Sequence, residues 1–335
     1  MQKVSSVVKR IVPVIVAVML VVSLAGRSEA QSDKFKFRLG HVNAPGSMVF
    51  FAAEEFAKQA KDMSKGRIEI DVFANAVLGN EARLMELVNS GNLDLGITTA
   101  MGLGSYVPAV SVLEADYVFR DIKTQLAFAL SDEGQKFFQP IAQKTNMMVV
   151  ANHTFGLRHL TTKNKAIKTP ADLKGMKIRC MDFRQAVENV TALGGAATPM
   201  AFSELYMGLR QGVVDGQENP LNTIIASKFY EVQKYLMLTG HVVTNSAFVM
   251  SKKSFDSLPK DLQAVILEAG KAMMKRTAAE IEKKEGDWMK ELESKGMVVI
   301  KPDVDAFRKR AIEYLPAKME DVWGKGAYEK IANFK

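Results

Sequence analysis

The chain has 335 residues, with 45 Lys and Arg against 37 Asp and Glu and a formal charge of +8. The basic residues are interspersed with acids, as in Glu280-Ile281-Glu282-Lys283-Lys284-Glu285, which reads as a solvated helix face and not as the one-sided stripe of a nucleic-acid binder. Cys180 is the only cysteine, so no intramolecular disulfide can form and stability has to come from a buried core.

Lys3, Lys9 and Arg10 precede an apolar run from Ile11 to Ala25, and Ser28-Glu29-Ala30 supplies the small-x-small pattern that a signal peptidase reads. The run contains Pro13 and falls short of the roughly 20 apolar residues that cross a bilayer, so the pattern predicts a secretory leader over residues 1–30 and not a membrane anchor. No cysteine follows it, which leaves a lipid anchor unsupported. Removing its four basic residues and one acid lowers the charge to +5. The expected product is soluble outside the cytoplasm and does not span the membrane.

About 305 remaining residues usually divide into two lobes, yet no Pro-, Gly- or Ser-rich linker separates them. A chain that crosses between lobes more than once accounts for that.

In chain order, Phe35 to Gly40 alternates as a strand. Ser47 caps a helix carrying Phe51, Ala52, Phe56 and Ala57, and Gly66 stops it. Arg67 to Phe73 is a second strand, Asn80 caps a second helix with Leu84, Leu87 and Val88 on one face, and Leu93 to Thr98 is a third strand. Strand alternating with helix predicts an α/β fold with mixed, mostly parallel sheets. Met147 to Ala151 and Met176 to Met181 read as further strands, with a short helix started by Thr169-Pro170 between them. Helices follow over Arg184 to Leu193 and Ser203 to Leu209, closed by Gly194 and Gly212. From Pro259 to Lys295 the spacing predicts one long charged helix with Leu262, Ile266, Ala269, Met273, Ala278 and Ile281 buried.

Catalytic signatures are sparse. There is no G-x-S-x-G elbow, H-E-x-x-H helix or Walker loop, and Gly102-Leu103-Gly104 is half of a dinucleotide fingerprint, without its last glycine. The four histidines, His41, His153, His159 and His241, show no metal spacing. Cys180 lies in an expected strand, where a buried, inert thiol is the ordinary outcome. No cofactor or metal is expected. Arg179 is different: flanked by Ile178 and Cys180, it would be costly to bury without an anion, and its fork of N–H groups matches a carboxylate.

The run from Thr198 to His241, TPMAFSELYMGLRQGVVDGQENPLNTIIASKFYEVQKYLMLTGH, is dense in specific motif residues. LGHVNAPGS from Leu39, AAEEFAKQ from Ala52, LGNEARLMELVNSGNLD from Leu78 and DLKGMKIR from Asp172 accompany it in order. Together these blocks resemble the extracytoplasmic solute receptors of tripartite ATP-independent periplasmic (TRAP) transporters, over about the whole mature chain. The resemblance implies a periplasmic binding protein fold of two lobes joined by a hinge, with a long helix running across both. The expected boundaries are about 31–155 plus 243–284 for the first lobe and about 156–242 plus 285–335 for the second. It also implies a small carboxylate ligand, of the C4-dicarboxylate or sugar acid class, handed to large and small membrane subunits.

By the same resemblance Arg179 grips the ligand carboxylate, Arg158 gives a second contact, Asn219 adds an amide and Phe202 an apolar wall. Glu81 and Thr99, with His41 as a weaker candidate, follow strands of the first lobe, where ligands of open α/β sheets bind. They are expected to read the other end of the ligand. Asp182 departs from the family pattern and is expected to accept a hydroxyl or ammonium group. Two other classes stay open: a secreted enzyme acting on carboxylates, detected by turnover, and the receptor of an ATP-driven importer, decided by neighbouring genes.

Overall fold

The computed structural model describes residues 33–334, so the expected leader lies outside the described residues. Two mixed sheets organise the chain. The first has the order β2 (Ile68–Phe73), β1 (Phe35–Gly40), β3 (Leu95–Thr99), β10 (Ser246–Ser251), β4 (Met147–His153). The second has the order β11 (Val298–Ile300), β9 (Tyr235–Val243), β5 (Leu157–Thr162), β8 (Gly216–Pro220), β6 (Lys177–Cys180), β7 (Ala196–Pro199).

Both sheets mix parallel and antiparallel pairs. β1 runs parallel to β3, β11 to β9, and β6 to both β7 and β8. β10 enters the first sheet from the second lobe and is antiparallel to β3 and β4, while β5 enters the second from the first lobe and is antiparallel to β8 and β9. Strands delivered by a crossover arrive in the reverse sense, which local periodicity does not encode.

The helices form where their caps predict. Ser47 accepts from the Phe50 N–H at 3.2 Å and opens Met48–Met63, which buries Val49, Ala52, Ala53, Phe56 and Ala60. Asn80 accepts from the Arg83 N–H at 2.9 Å and opens Glu81–Asn89. Gly194, at φ +105°, closes Arg184–Leu193 in the left-handed region that glycine tolerates best. Phe202–Gln211 departs in detail: Ala201 occupies the cap position, and Ser203 is the second helical residue.

Two short crossings join the lobes, Thr154–Gly156 between β4 and β5 and Thr244–Asn245 between β9 and β10, and they are bonded to each other. The Thr244 hydroxyl accepts from the Phe155 N–H at 2.8 Å and donates to the Gly156 carbonyl at 3.0 Å, and the Thr244 N–H donates to that same carbonyl at 3.1 Å. The Asn245 side chain holds the pair in place by donating to Leu113 O and accepting from Gln125 Nε2 and Asn152 Nδ2.

The third crossing is the helix Lys260–Ser294. All six positions expected from its spacing are buried, among them Leu262, Ile266 and Ile281. Its far end belongs to the second lobe, where Leu292 is buried with Leu205, Leu209, Phe229 and Leu236. The helix therefore spans both lobes.

The chain's last residues return to the first lobe, although the whole of 285–335 is expected from the sequence in the second. Helix Val304–Trp323 lies along Arg184–Leu193, where Arg184 pairs with both oxygens of Asp321 at 2.9 and 3.1 Å. Helix Ala327–Ala332 then docks beside the segment that joins β3 to β4: Tyr328 donates to Asp116 O at 2.8 Å, and Phe334 meets Phe128 edge-on at 5.2 Å. A terminal helix this short carries no lobe-specific pattern beyond a few apolar residues.

Candidate functional site

A cavity of about 140 Å³ opens between the two sheets, room for a small molecule. Its wall comes from segments at the carboxyl ends of strands in both lobes. Val42 and Asn43 follow β1, Ala76 follows β2, Thr99 ends β3, Met181 to Phe183 follow β6, and Met200 to Ser203 follow β7. That is where a parallel α/β layer leaves its loops and helix N-termini free to meet a ligand.

Arg179 is the most unusual group in this wall. It sits in β6 between Ile178 and Cys180 and is 1% exposed. Its Nε donates to the Met200 carbonyl at 3.0 Å, and Cζ lies 5.8 Å from the centre of the Phe202 ring. No carboxylate among the described residues forms an ion pair with it. Burial lowers its pKa to about 10, partly offset by Glu218, so the guanidinium remains charged at neutral pH. A desolvated cation without an anion is costly to hold, and an anion in the cavity that Arg179 lines would relieve that cost.

Arg158 is buried to 2% exposure as well, but its charge is already matched. Nε pairs with Glu218 Oε2, while Nη2 donates to Glu218 Oε1 at 2.8 Å and to the Glu218 carbonyl at 2.6 Å. The two residues come from paired antiparallel strands in which Arg158 opposes Pro220 and Leu160 opposes Glu218. His241, from β9, brings Nε2 to 3.2 Å of Glu218 Oε2, with its Nδ1 2.8 Å from the Thr239 hydroxyl. Burial pushes the Glu218 carboxyl upward, but the charge of Arg158 and the bonds from His241 and Arg158 outweigh it and hold the carboxyl at about 2. Arg158 still lines the cavity, as half of an internal ion pair. Glu218 and His241 are the functional neighbours that the sequence reading missed, although both stand within the quoted motif run.

Asn219 is buried, lines the cavity and donates from Nδ2 to Gln217 Oε1 at 2.6 Å. Phe202 also lines it and packs edge-on against Phe229 at 6.0 Å. On the first lobe, Glu81 Oε1 gathers three donors: Thr98 Oγ1 at 2.6 Å, Thr99 N at 2.5 Å and Thr99 Oγ1 at 2.9 Å. Thr99 thus serves Glu81 and also caps the short helix Ala100–Leu103. Asp182 lines the cavity from an exposed turn.

His41 does not join them. Its ring is buried 6.0 Å from that of Phe50, with no partner for either nitrogen among the described residues, and burial lowers its pKa to about 4. The next two residues, Val42 and Asn43, face the cavity instead. Cys180 is buried and its thiol is pushed up to about 12 by burial, the inert state expected of it.

Two mixed sheets with a crevice at their strand ends, a bonded pair of crossings beneath it and a buried, unmatched arginine inside it define a two-lobed solute receptor. The chain belongs to the bacterial extracellular solute-binding protein family 7, DctP, whose pattern matches residues 39–321. It is 35% identical over 295 residues to a solute-binding protein of Verminephrobacter eiseniae, covering 88% of each chain. It superposes on a TRAP periplasmic solute-binding protein of a Polaromonas species bound to D-erythronate with a TM-score of 0.85 and 28% identity, covering 90% of this chain and 99% of that one. A second such protein, from Roseobacter denitrificans with bound L-galactonate, gives a TM-score of 0.82 and 30% identity over 90% and 99%.

Proposed function

We propose that this protein captures a small organic acid in the cleft, with Arg179 receiving the carboxylate, and delivers it to a TRAP membrane complex. The single observation that carries the reading is the contrast between two buried arginines. Arg158 is neutralised by Glu218, whereas Arg179 pairs with no anion among the described residues. A guanidinium forms two parallel bonds to a carboxylate, and inside a desolvated cleft each is stronger than in water.

Asn219 and Phe202 line the same cavity, one offering an amide and the other an apolar face to the ligand's carbon chain. The wall is divided between lobes, so a ligand completes all its contacts only when the lobes approach. Closure is then driven by the difference in affinity between open and closed forms. The relatives that carry bound sugar acids support the class of ligand. Their membership among TRAP receptors supports hand-over to membrane subunits and residence outside the cytoplasm.

A thermal-shift panel of organic acids tests the reading, since a ligand that binds only the folded state raises its melting temperature. For the best acid, titration calorimetry of Arg179→Ala is expected to show affinity lower by about 100-fold, the equivalent of about 3 kcal/mol for a charge-assisted bond to a desolvated anion. Equal affinity in the variant would remove Arg179 from the role.

A further inference from the structure

The clamp fixes one end of the ligand, and the remaining polar groups of the cavity describe the other. Beyond Arg158 and Arg179 its wall contains no Lys, Arg or His, and Arg158 is already matched. The charged groups that remain are both acids, Glu81 from the first lobe and Asp182 from the second, accompanied by the amides of Asn43 and Asn80. A second carboxylate on the ligand would meet two negative charges and no free cation. Hydroxyl or ammonium groups would meet acceptors.

The two acids are not equivalent. Glu81 Oε1 is saturated by Thr98 and Thr99, which fix the carboxylate in place. Asp182 has no hydrogen bond or ion pair among the described residues. Nor does it cap the helix that follows, because Phe183 holds that position without a side-chain bond. Its side chain is therefore not committed to the fold. The two lobes also meet here: a point beside Gly102 lies 3.1 Å from Glu81 Oε1 and 3.4 Å from Phe183 Cζ, the residue next to Asp182.

We infer that the ligand is a monocarboxylate whose far end donates hydrogen bonds, a polyhydroxy or amino acid, and that Asp182 is the residue that turns dicarboxylates away. The inference rests on the carboxylate clamp at Arg179. Two unit charges a few ångströms apart near a protein surface repel strongly enough to change an equilibrium about tenfold, whereas a hydroxyl or ammonium in the same place gains a charge-assisted bond.

Calorimetry on the wild type, Asp182→Asn and Arg179→Ala separates the two ideas, using four- and six-carbon acids matched in length: hydroxy acids, amino acids and dicarboxylates. The wild type is expected to bind a hydroxy or amino acid at least about tenfold tighter than its matched dicarboxylate. In Asp182→Asn that ratio shrinks by threefold or more, mainly because the dicarboxylate gains. The melting temperature of the unliganded variant stays unchanged because Asp182 is exposed. The inference is overturned if no hydroxy or amino acid of the series binds, if the dicarboxylate binds as tightly as its match, or if Asp182→Asn leaves the ratio where it was. A dicarboxylate that binds the wild type tightly and is lost in Arg179→Ala sinks the inference and keeps the clamp. Binding that survives Arg179→Ala sinks both.

Discussion

Arg158 and Glu218 are joined by three bonds across β5 and β8, and neither is more than 6% exposed. Breaking such a pair is worse than never having had it, because the surviving charge stays buried. Glu218→Gln keeps the shape and removes one charge. It should lower unfolding stability by about 3 kcal/mol and enlarge the stabilisation produced by a bound acid, which then has two unmatched arginines to neutralise. Urea unfolding with and without ligand measures both. A loss of stability below about 1 kcal/mol would mean that the bond network, and not the charge, keeps Arg158 inside.

Above about pH 4.5 the pH dependence of stability follows mainly from five buried groups. Burial lowers His41 and His153 to about 4, and burial together with the charge of His241 lowers His159 to about 3. Because these folded-state values lie below the ordinary 6.5, their contribution is complete above that pH and is lost as pH falls toward the folded values. Burial raises Glu114 to about 7 and Asp116 well above its ordinary value. Their contribution has the opposite sign, being complete in acid and lost as pH rises. Glu285 is raised by burial too, though less strongly, so between about pH 4.5 and 6.5 the three histidines outweigh the acids, and above 6.5 only the acids act. Stability should therefore peak near pH 6.5, as read from denaturant midpoints at half-unit steps. A peak above pH 8 would contradict the assignment.

Gly102 offers a steric test of the first-lobe wall. A Cβ there would collide with Thr98 Oγ1 and stand 3.1 Å from Glu81 Oε1. Gly102→Ala should cost about 1–3 kcal/mol through forced displacement and weaken ligand binding, because the Thr98–Glu81 bond has to break. Normal affinity together with normal stability would show that Glu81 tolerates the shift and does not define the ligand's far end.

The long helix ties the lobes together through its two ends. Leu292→Ala removes a fully buried side chain at the second-lobe end and should cost about 2–5 kcal/mol. Since Ile266 anchors the same helix in the first lobe, unfolding should remain one transition in the variant, seen equally by circular dichroism and calorimetry. Two separated transitions would show that the helix does not couple the lobes.

Much of this was legible in the sequence because it is local. The caps at Ser47 and Asn80, the stop at Gly194 and the six buried positions of Lys260–Ser294 follow from short-range pattern, and each stands where expected. Arg179 announced itself as a cation among apolar neighbours. Arg158 did not reveal its partner, because the facing of β5 and β8 joins residues 60 apart in the chain and no periodicity records which strands pair. His41 lies outside the cavity lining for a smaller reason. At the end of a strand the alternation of faces is lost, and the chain turned its next two residues into the cleft while the imidazole packed beside Phe50. The return of the last helix to the first lobe was hidden likewise, since docking depends on a surface that exists only after the rest has folded.

The indole of Trp323 donates to Ser111 Oγ at 3.1 Å, so the side chain of a helix lying on the second lobe ends against a segment inserted between β3 and β4 of the first. The chain contains one other tryptophan, Trp288, half-buried within the core of the second lobe. The molecule thus carries its own optical gauge. A change in separation between the halves alters the surroundings of one fluorophore and spares the other, allowing ligand capture to be timed in unlabelled protein.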